Sequence, residues 1–329
     1  MRVLVVGAGA VGCFYASRLD PSAFVGLVCR SNYDAVHAHG ISMKTSSFGD
    51  YHYQPNAVYA AAENAAMDGP WDFVLVATKV NTSLTAADII ASVVSQSTTI
   101  VLIQNGVMIE SPFRARFPET PILSAVTVVA ATLVEPNVAA QYRWTRISLG
   151  PYSDFYAHDD TPLQKQLLER ATDAMRTLAQ LWKNGGISDV EEHSARDIQL
   201  VRWHKLSINA AFNASSVLAG CIGNGEAVRD PYLRAHIKAC MEEVLDATET
   251  VFGVPMPARF ASPDKIIRSN EKNVGSKSSM LQDWEAHRPM ELDAILKSPL
   301  ELAEKHGVSM PRLQSMYALL RSAEAQRRA

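Results

Sequence analysis

The chain has 329 residues, 47% of them hydrophobic and 20% charged, with a formal net charge of −3. That length suits two domains of ordinary size, and the composition is that of an ordinary soluble globular protein. The small negative charge excludes a general attraction to nucleic acid or anionic lipid, and no apolar run is long enough to cross a membrane.

A first strand is expected from Val3 to Val6, a short β-branched run without polar alternation, as in a parallel strand covered on both faces. It begins so early that no room is left for a signal peptide. Gly7-Ala8-Gly9-Ala10-Val11-Gly12 follows at once and leads into an apolar helix. In that setting the three glycines match a dinucleotide fingerprint. The first permits the turn, the second lets backbone approach a pyrophosphate, and the third lets helix pack close to strand. A tight glycine turn without a ligand is the plainer alternative.

Phe24 to Cys29 is the second parallel strand. Where an acidic residue would hold the ribose hydroxyls of NAD, the chain has Arg30. An arginine fork suits a 2′-phosphate, so NADP is expected over NAD, with a solvated arginine as the alternative. A small hairpin is expected over Ile41–Tyr53. Trp71–Ala77 is a buried strand ending in Thr78-Lys79, at the edge where such sheets bind ligands. Lys79 either meets the cofactor or substrate edge or is a surface lysine. A covering helix is expected over Leu84–Val94. The strand Thr99–Ile103 runs into Gln104-Asn105-Gly106, where Asn105 either faces a nicotinamide or stabilises its own turn. Ile122–Ala131 is a further strand. Arg146–Gly150 and Ile187–Val190 are expected as later strands, antiparallel at the sheet edge. Pro162–Asn184 is a long helix with proline at its start and Gly185-Gly186 at its stop. The first domain is placed at residues 1–190.

The second domain, 191–329, has helical periodicity. In Arg196–Val217 an α-helical count puts Lys205, Asn209 and Asn213 within an arc of about 80°. Apolar residues edge that arc on both sides, which suggests a polar groove for a small ligand; a structural hydrogen-bond network between helices is the alternative. Gly220–Glu226 is a tight polar loop in which Asn224 caps a helix or faces the same groove. Pro231–Phe252 is an amphipathic helix with Glu242 and Glu243 solvated. Glu291 and Asp293 fall in the first turn of another helix, and Leu313–Ala325 forms the last.

For hydride transfer to a carbonyl, the new alkoxide needs a proton, and a lysine tuned by burial is a suitable acid; Lys205 is the best such residue. The asparagines would grip the substrate, and Ser279 could add a donor. His204 points about 100° away from Lys205 around the helix and is expected to pack or to support the site from behind. No GxSxG elbow, HExxH helix or GxxxxGK[ST] loop occurs, and neither the nine histidines nor the four cysteines have metal-ligand spacing. The cysteines are therefore expected to be inert packing residues of a cytoplasmic protein that binds no metal.

Gly7-Ala-Gly-Ala-Val-Gly12, Thr78-Lys79, Gln104-Asn105-Gly106, Lys205-Leu-Ser-Ile-Asn209-Ala-Ala-Phe-Asn213, Asn224-Gly-Glu226 and Ser278-Ser-Met-Leu-Gln-Asp283 with Glu291-Leu-Asp293 together resemble the ketopantoate reductase (2-dehydropantoate 2-reductase) family. The resemblance spans almost the whole chain. It implies an α/β Rossmann N-terminal domain joined to an all-helical C-terminal domain, with the active site in the interdomain cleft. The implied reaction is NADPH-dependent reduction of 2-dehydropantoate to (R)-pantoate, on the route to pantothenate and coenzyme A. Lys205 would be the proton donor and Glu291 the acidic residue beside it and the cofactor ribose. Asn209, Asn213, Asn224 and Ser279 would bind substrate, and Asn105 would lie near both substrate and nicotinamide. Gly7 to Gly12, Arg30, Lys79 and Ala130 fall on the cofactor side. The chain departs from the family pattern at Thr127-Val-Val-Ala130, at Met290 and at Leu292-Asp293-Ala294. A paralogue reducing another 2-oxo acid or small ketone therefore stays open, as does a non-catalytic NADP(H)-sensing protein. A homodimer through an apolar face on the last helices stays open beside a monomer in which that face closes the core.

Overall fold

The computed structural model describes residues 1–80, 85–153, 161–273 and 275–328. Chain packing divides them into two compact units, Met1–Gln104 with Ile109–Ile198, and Asn105–Met108 with Gln199–Ala329. The stretch 191–198 thus packs with the first unit, and the short segment after Gln104 packs with the second. Among the described residues no helix is long and apolar enough to cross a membrane.

The first unit is built on one sheet. Its strands are β1 (Arg2–Val6), β2 (Phe24–Val28), β3 (Ile41–Thr45), β4 (Gly49–Tyr53), β5 (Ala57–Tyr59), β6 (Phe73–Val76), β7 (Thr99–Leu102), β8 (Ile122–Glu135), β9 (Val138–Pro151) and β10 (Val190–Glu192). Their spatial order is β4-β3-β9-β8-β7-β6-β1-β2-β5, with β10 also on β9. The strands β1, β2, β5, β6, β7 and the start of β8 run parallel, and β6 and β7 are buried throughout, as expected for apolar runs covered on both faces. From β1 the chain steps to β2 on one side and later returns to β6 on the other, so the order reverses at the carboxyl end of β1. Val6 pairs with both Val28 and Val76, and Val76 with Leu102, which aligns these carboxyl ends along one edge.

Several elements differ from the local expectation. The Ile41–Tyr53 hairpin forms, but β3 also pairs in parallel with β9, so it extends the main sheet. The apolar alternation of β3 buries Ile41 and Met43 in the sheet's core, which a free hairpin could not do. The helix expected at Leu84–Val94 is a single turn, Ala86–Ile89, followed by a 3₁₀ turn, Ala91–Val93. Ile89, Ile90, Val93 and Val94 are β-branched and resist a longer helix; Leu84 lies outside the described residues. Ile122–Ala131 and Arg146–Gly150 are parts of one long antiparallel ribbon, β8 and β9. The last strand begins at Val190 and is parallel to β9, not antiparallel.

The helix Pro162–Asn184 has the expected ends, capped by the Thr161 hydroxyl at its start. It packs through Trp182, whose indole donates to the Tyr15 carbonyl at 3.0 Å. The second unit is helical around a core that includes Trp203, Phe212, Met241, Leu281 and Leu313. The helix Pro231–Phe252 runs from an Asp230 cap to Gly253, whose φ of +69° ends it. Glu243 is not solvated. Its side chain is 6% exposed and accepts from the Arg312 and Leu313 amides at 3.0 Å, capping the last helix, Pro311–Arg328.

Candidate active site

The glycine loop leaves β1 and enters the helix Ala10–Ser17 with Gly9 in the cap position and no side-chain cap. Gly7 has φ +112°, and a Cβ there would lie 2.8 Å from the Ala77 and Thr78 backbone. A Cβ on Gly12 would collide with the Gly7 carbonyl oxygen. These two glycines are required by the fold itself. Gly9 is not: its φ of −77° suits any residue, and a Cβ there would meet nothing within 4 Å among the described residues. Open space over uncapped helix amides is what an approaching diphosphate needs, so the loop fits a dinucleotide. Ala8, Ala10 and Val11 lie in the same loop and first turn. Asn32, not singled out in the sequence, braces the loop. It is 7% exposed and donates to the Ala8 carbonyl at 3.0 Å and the Pro136 carbonyl at 3.1 Å. Its signal was only its position just past β2.

Arg30 is exposed directly after β2, and Lys79 is exposed after β6, both beyond the aligned carboxyl ends. Gln104 is buried and donates to the Thr78 carbonyl at 2.9 Å, which fixes the turn ahead of Lys79. Ala130 is half-buried opposite Arg143, between two register shifts in the β8–β9 ribbon.

In the helical unit the expected Arg196–Val217 helix is interrupted. An α-helix, Ala195–Ile208, passes into a π-helix, Asn209–Asn213, and then into α-helix Ala214–Leu218. A π-turn rotates the chain less per residue than an α-turn, so it swings Asn213 back toward the side of Lys205 and narrows the arc of the polar column. Asn213 is 6% exposed and Asn209 half-buried. A second π-helix, Asp293–Lys297, packs against the first. Glu291 sits just ahead of it, outside the first turn where it was expected; its carbonyl accepts from the Ile295 amide at 3.1 Å.

The Lys205 ammonium donates to Asn105 Oδ1 at 2.8 Å. Its pKa is lowered from 10.5 to about 8, first by burial and then by the Arg202 guanidinium, against an opposing pull from the Glu291 carboxylate. Glu291 is 7% exposed. His204 packs as expected: its ring stacks on Phe260 and faces the Ala261 carbonyl at 2.9 Å. The buried thiols of Cys13, Cys29 and Cys240 are pushed up to about 12, which makes them poor nucleophiles.

Asn224 starts a short helix, Asn224–Ala227, and its backbone amide is held by the Ser276 carbonyl at 2.9 Å. Among the described residues its buried side-chain oxygen meets no hydrogen-bond partner, and neither does the buried Ser216 hydroxyl. Ser278 caps the helix Ser279–Glu285, accepting from the Leu281 amide, and Ser279, the expected substrate donor, is exposed in its first turn.

The N-terminal model of the family described as Ketopantoate reductase PanE/ApbA matches residues 3–154, and its C-terminal model matches 197–324. A 2-dehydropantoate 2-reductase of Nostoc is 24% identical, over 99% of this chain and 96% of that protein. An uncharacterized protein of Saccharomyces cerevisiae is 28% identical, over 97% of this chain and 92% of its own. The crystal structure of 2-dehydropantoate 2-reductase from Methylococcus capsulatus is 29% identical and superposes with a TM-score of 0.81, covering 99% of this chain and 97% of that one.

Proposed function

The chain belongs to the ketopantoate reductase PanE/ApbA family, and on that premise we propose that it reduces 2-dehydropantoate to pantoate with NADPH. It is an oxidoreductase acting on a C=O/CH–OH group. The observation that carries the proposal is a lysine with a pKa of about 8 held on an asparagine carbonyl. Such a group is an ammonium at neutral pH yet can give up its proton, as a general acid must.

NADPH, when bound, supplies the hydride for the carbonyl carbon. The uncapped amides at Gly9 and Ala10 would take its diphosphate, and Arg30 and Lys79 its charged edge. The protein's own chemistry is at the substrate oxygen. Lys205 hydrogen-bonds that oxygen and gives it a proton as charge develops, ending as a neutral amine that solvent reprotonates. Asn105 aims the ammonium, and the Glu291 carboxylate favours its charged form. Asn209 and Asn213 offer amides, Asn224 a buried acceptor, and Ser279 a hydroxyl, to the hydroxyl and carboxylate of a small 2-oxo acid.

A second reading keeps the chemistry and changes the 2-oxo acid. Ala294, in a segment that departs from the family pattern, accepts the Val107 amide at 3.2 Å, and its Cβ lies 2.6 Å from where a Cβ on Gly106 would stand. The departure thus abuts the turn that carries Asn105. A purely sensing protein has no need of a proton donor tuned in this way. The deciding experiment follows NADPH absorbance with 2-dehydropantoate beside other 2-oxo acids and small ketones, then repeats the best case with NADH. Preference for 2-dehydropantoate supports the proposal, and preference for another compound supports the second reading. NADPH binding without turnover of any compound overturns both.

A further inference from the structure

The segment Asn105–Met108 adopts an uncommon backbone. Gly106 has φ +95°, and Met108, though not glycine, has φ +59°. Left-handed residues in close succession are costly unless their surroundings hold them. The helical unit holds this segment from two elements. The Ala294 carbonyl takes the Val107 amide at 3.2 Å. From the helix Ala195–Ile208, Arg202 Nη1 donates to the Gly106 carbonyl at 3.0 Å. One turn further along that helix, Lys205 donates to Asn105 Oδ1. Two cations on one helical face therefore grip consecutive residues of one turn. Arg202 is 3% exposed, an extent of burial that a guanidinium tolerates only when it is well engaged.

We propose that Arg202 is a positioning residue for Lys205: it latches the Asn105–Gly106 turn to the lysine's own helix and so fixes the acceptor that aims the ammonium. This rests on the reading of Lys205 as proton donor. The latch has an electrostatic side as well. Among the described residues, the charges that act on Lys205 are those of Arg202 on its own helix and Glu291 ahead of the second π-helix. Arg202 disfavours the ammonium and Glu291 favours it, so the latch also keeps the lysine's proton easy to release.

Two variants separate the effects. Arg202→Gln removes the charge and shortens the donor, whereas Arg202→Lys keeps the charge and loses the planar fork. The titration of Lys205 is read without turnover, from the pH dependence of its acetylation by acetic anhydride, quantified by peptide mass spectrometry. Only proteins with native-like thermal midpoints are compared. In the wild-type chain the midpoint is expected near 8. In Arg202→Gln it should rise by about 1 pH unit, and in Arg202→Lys it should stay close to wild type. In parallel, kcat of both variants should fall by about tenfold or more while the NADPH dissociation constant stays within about twofold, because a misaimed acid weakens the transition state and leaves cofactor binding alone. An unchanged Lys205 titration in Arg202→Gln, or wild-type kcat in both variants, overturns the proposal. A shifted titration in a protein that turns over no 2-oxo acid leaves Arg202 as a positioning residue and overturns the proposed function instead.

Discussion

Lys205 Nζ lies 2.8 Å from Asn105 Oδ1, across a separation of 100 residues in the chain. The asparagine belongs to a turn that follows a strand of the sheet unit, yet that turn packs as part of the helical unit. The pairing gives the ammonium one fixed direction. It also leaves the other two protons of the ammonium for further partners.

Replacing Lys205 by alanine should reduce kcat by about 10²- to 10⁴-fold, the range expected for loss of a general acid. NADPH affinity should change little, because the proposed role puts the lysine at the substrate oxygen and not at the cofactor. Steady-state kinetics beside a fluorescence titration of NADPH checks this. Loss of both together would mean that Lys205 holds the cofactor.

The pH profile follows from the lysine. On the proposed chemistry carbonyl reduction uses the ammonium, so kcat should fall as pH rises through about 8, and oxidation of the alcohol, which would use the free amine, should rise over the same range. Stability moves in a related way. The unfolded chain, with its lysine at the ordinary 10.5, binds more protons than the folded one between about 8 and 10.5. The opposition of this group to folding is therefore full below 8 and fades as pH climbs through that window. Rate profiles in both directions, with denaturation at several pH values, test both signs.

Gly9 and Gly12 should behave differently when changed to alanine. Gly12→Ala drives a methyl group into the Gly7 carbonyl and should cost about 1–3 kcal/mol of stability or more. Gly9→Ala meets open space and should leave the thermal midpoint unchanged. It should still weaken NADPH by about tenfold or more if the diphosphate approaches here as proposed, since the methyl group would occupy that approach. Equal stability of the two variants would show that the loop is not packed as described.

Arg30→Ala should weaken NADPH by about tenfold or more, the value of a lost charge-assisted contact, and leave NADH within a few fold. Dissociation constants for the two cofactors decide it; equal losses would remove Arg30 from the 2′-phosphate.

Glu243→Ala should destabilise the fold by about 1–2 kcal/mol through the uncapped last helix, with kcat unchanged in the folded protein. Urea denaturation gives the value, and an unchanged midpoint would show that the cap contributes nothing.

Much of this architecture is legible locally. The strands β1, β2, β6 and β7 are short apolar runs, the helices Pro162–Asn184 and Pro231–Phe252 carry their own start and stop residues, and the glycine loop is marked by the contiguity of strand, glycines and helix. The polar column of Lys205, Asn209 and Asn213 could be drawn from helical periodicity, because periodicity is also a property of near neighbours. The α-count failed at the point where the helix widens into a π-turn. That turn abuts a second π-helix, Asp293–Lys297, far along the chain.

The sequence by itself determined the main strands and helices and the chemistry at hand: a dinucleotide loop, a basic residue after β2, and a lysine with two asparagines on one helical segment. Tertiary structure alone decided which groups meet. It docked β3 on β9, turned Glu243 from a surface charge into a helix cap, and placed Asn32 under the glycine loop. It also set Arg202 and Lys205 on consecutive residues of one turn. The physical reason is the range of the forces involved. Strand and helix preferences arise between residues a few positions apart, whereas a hydrogen bond or a lysine's pKa depends on groups brought within a few ångströms by packing, whatever their separation in the chain.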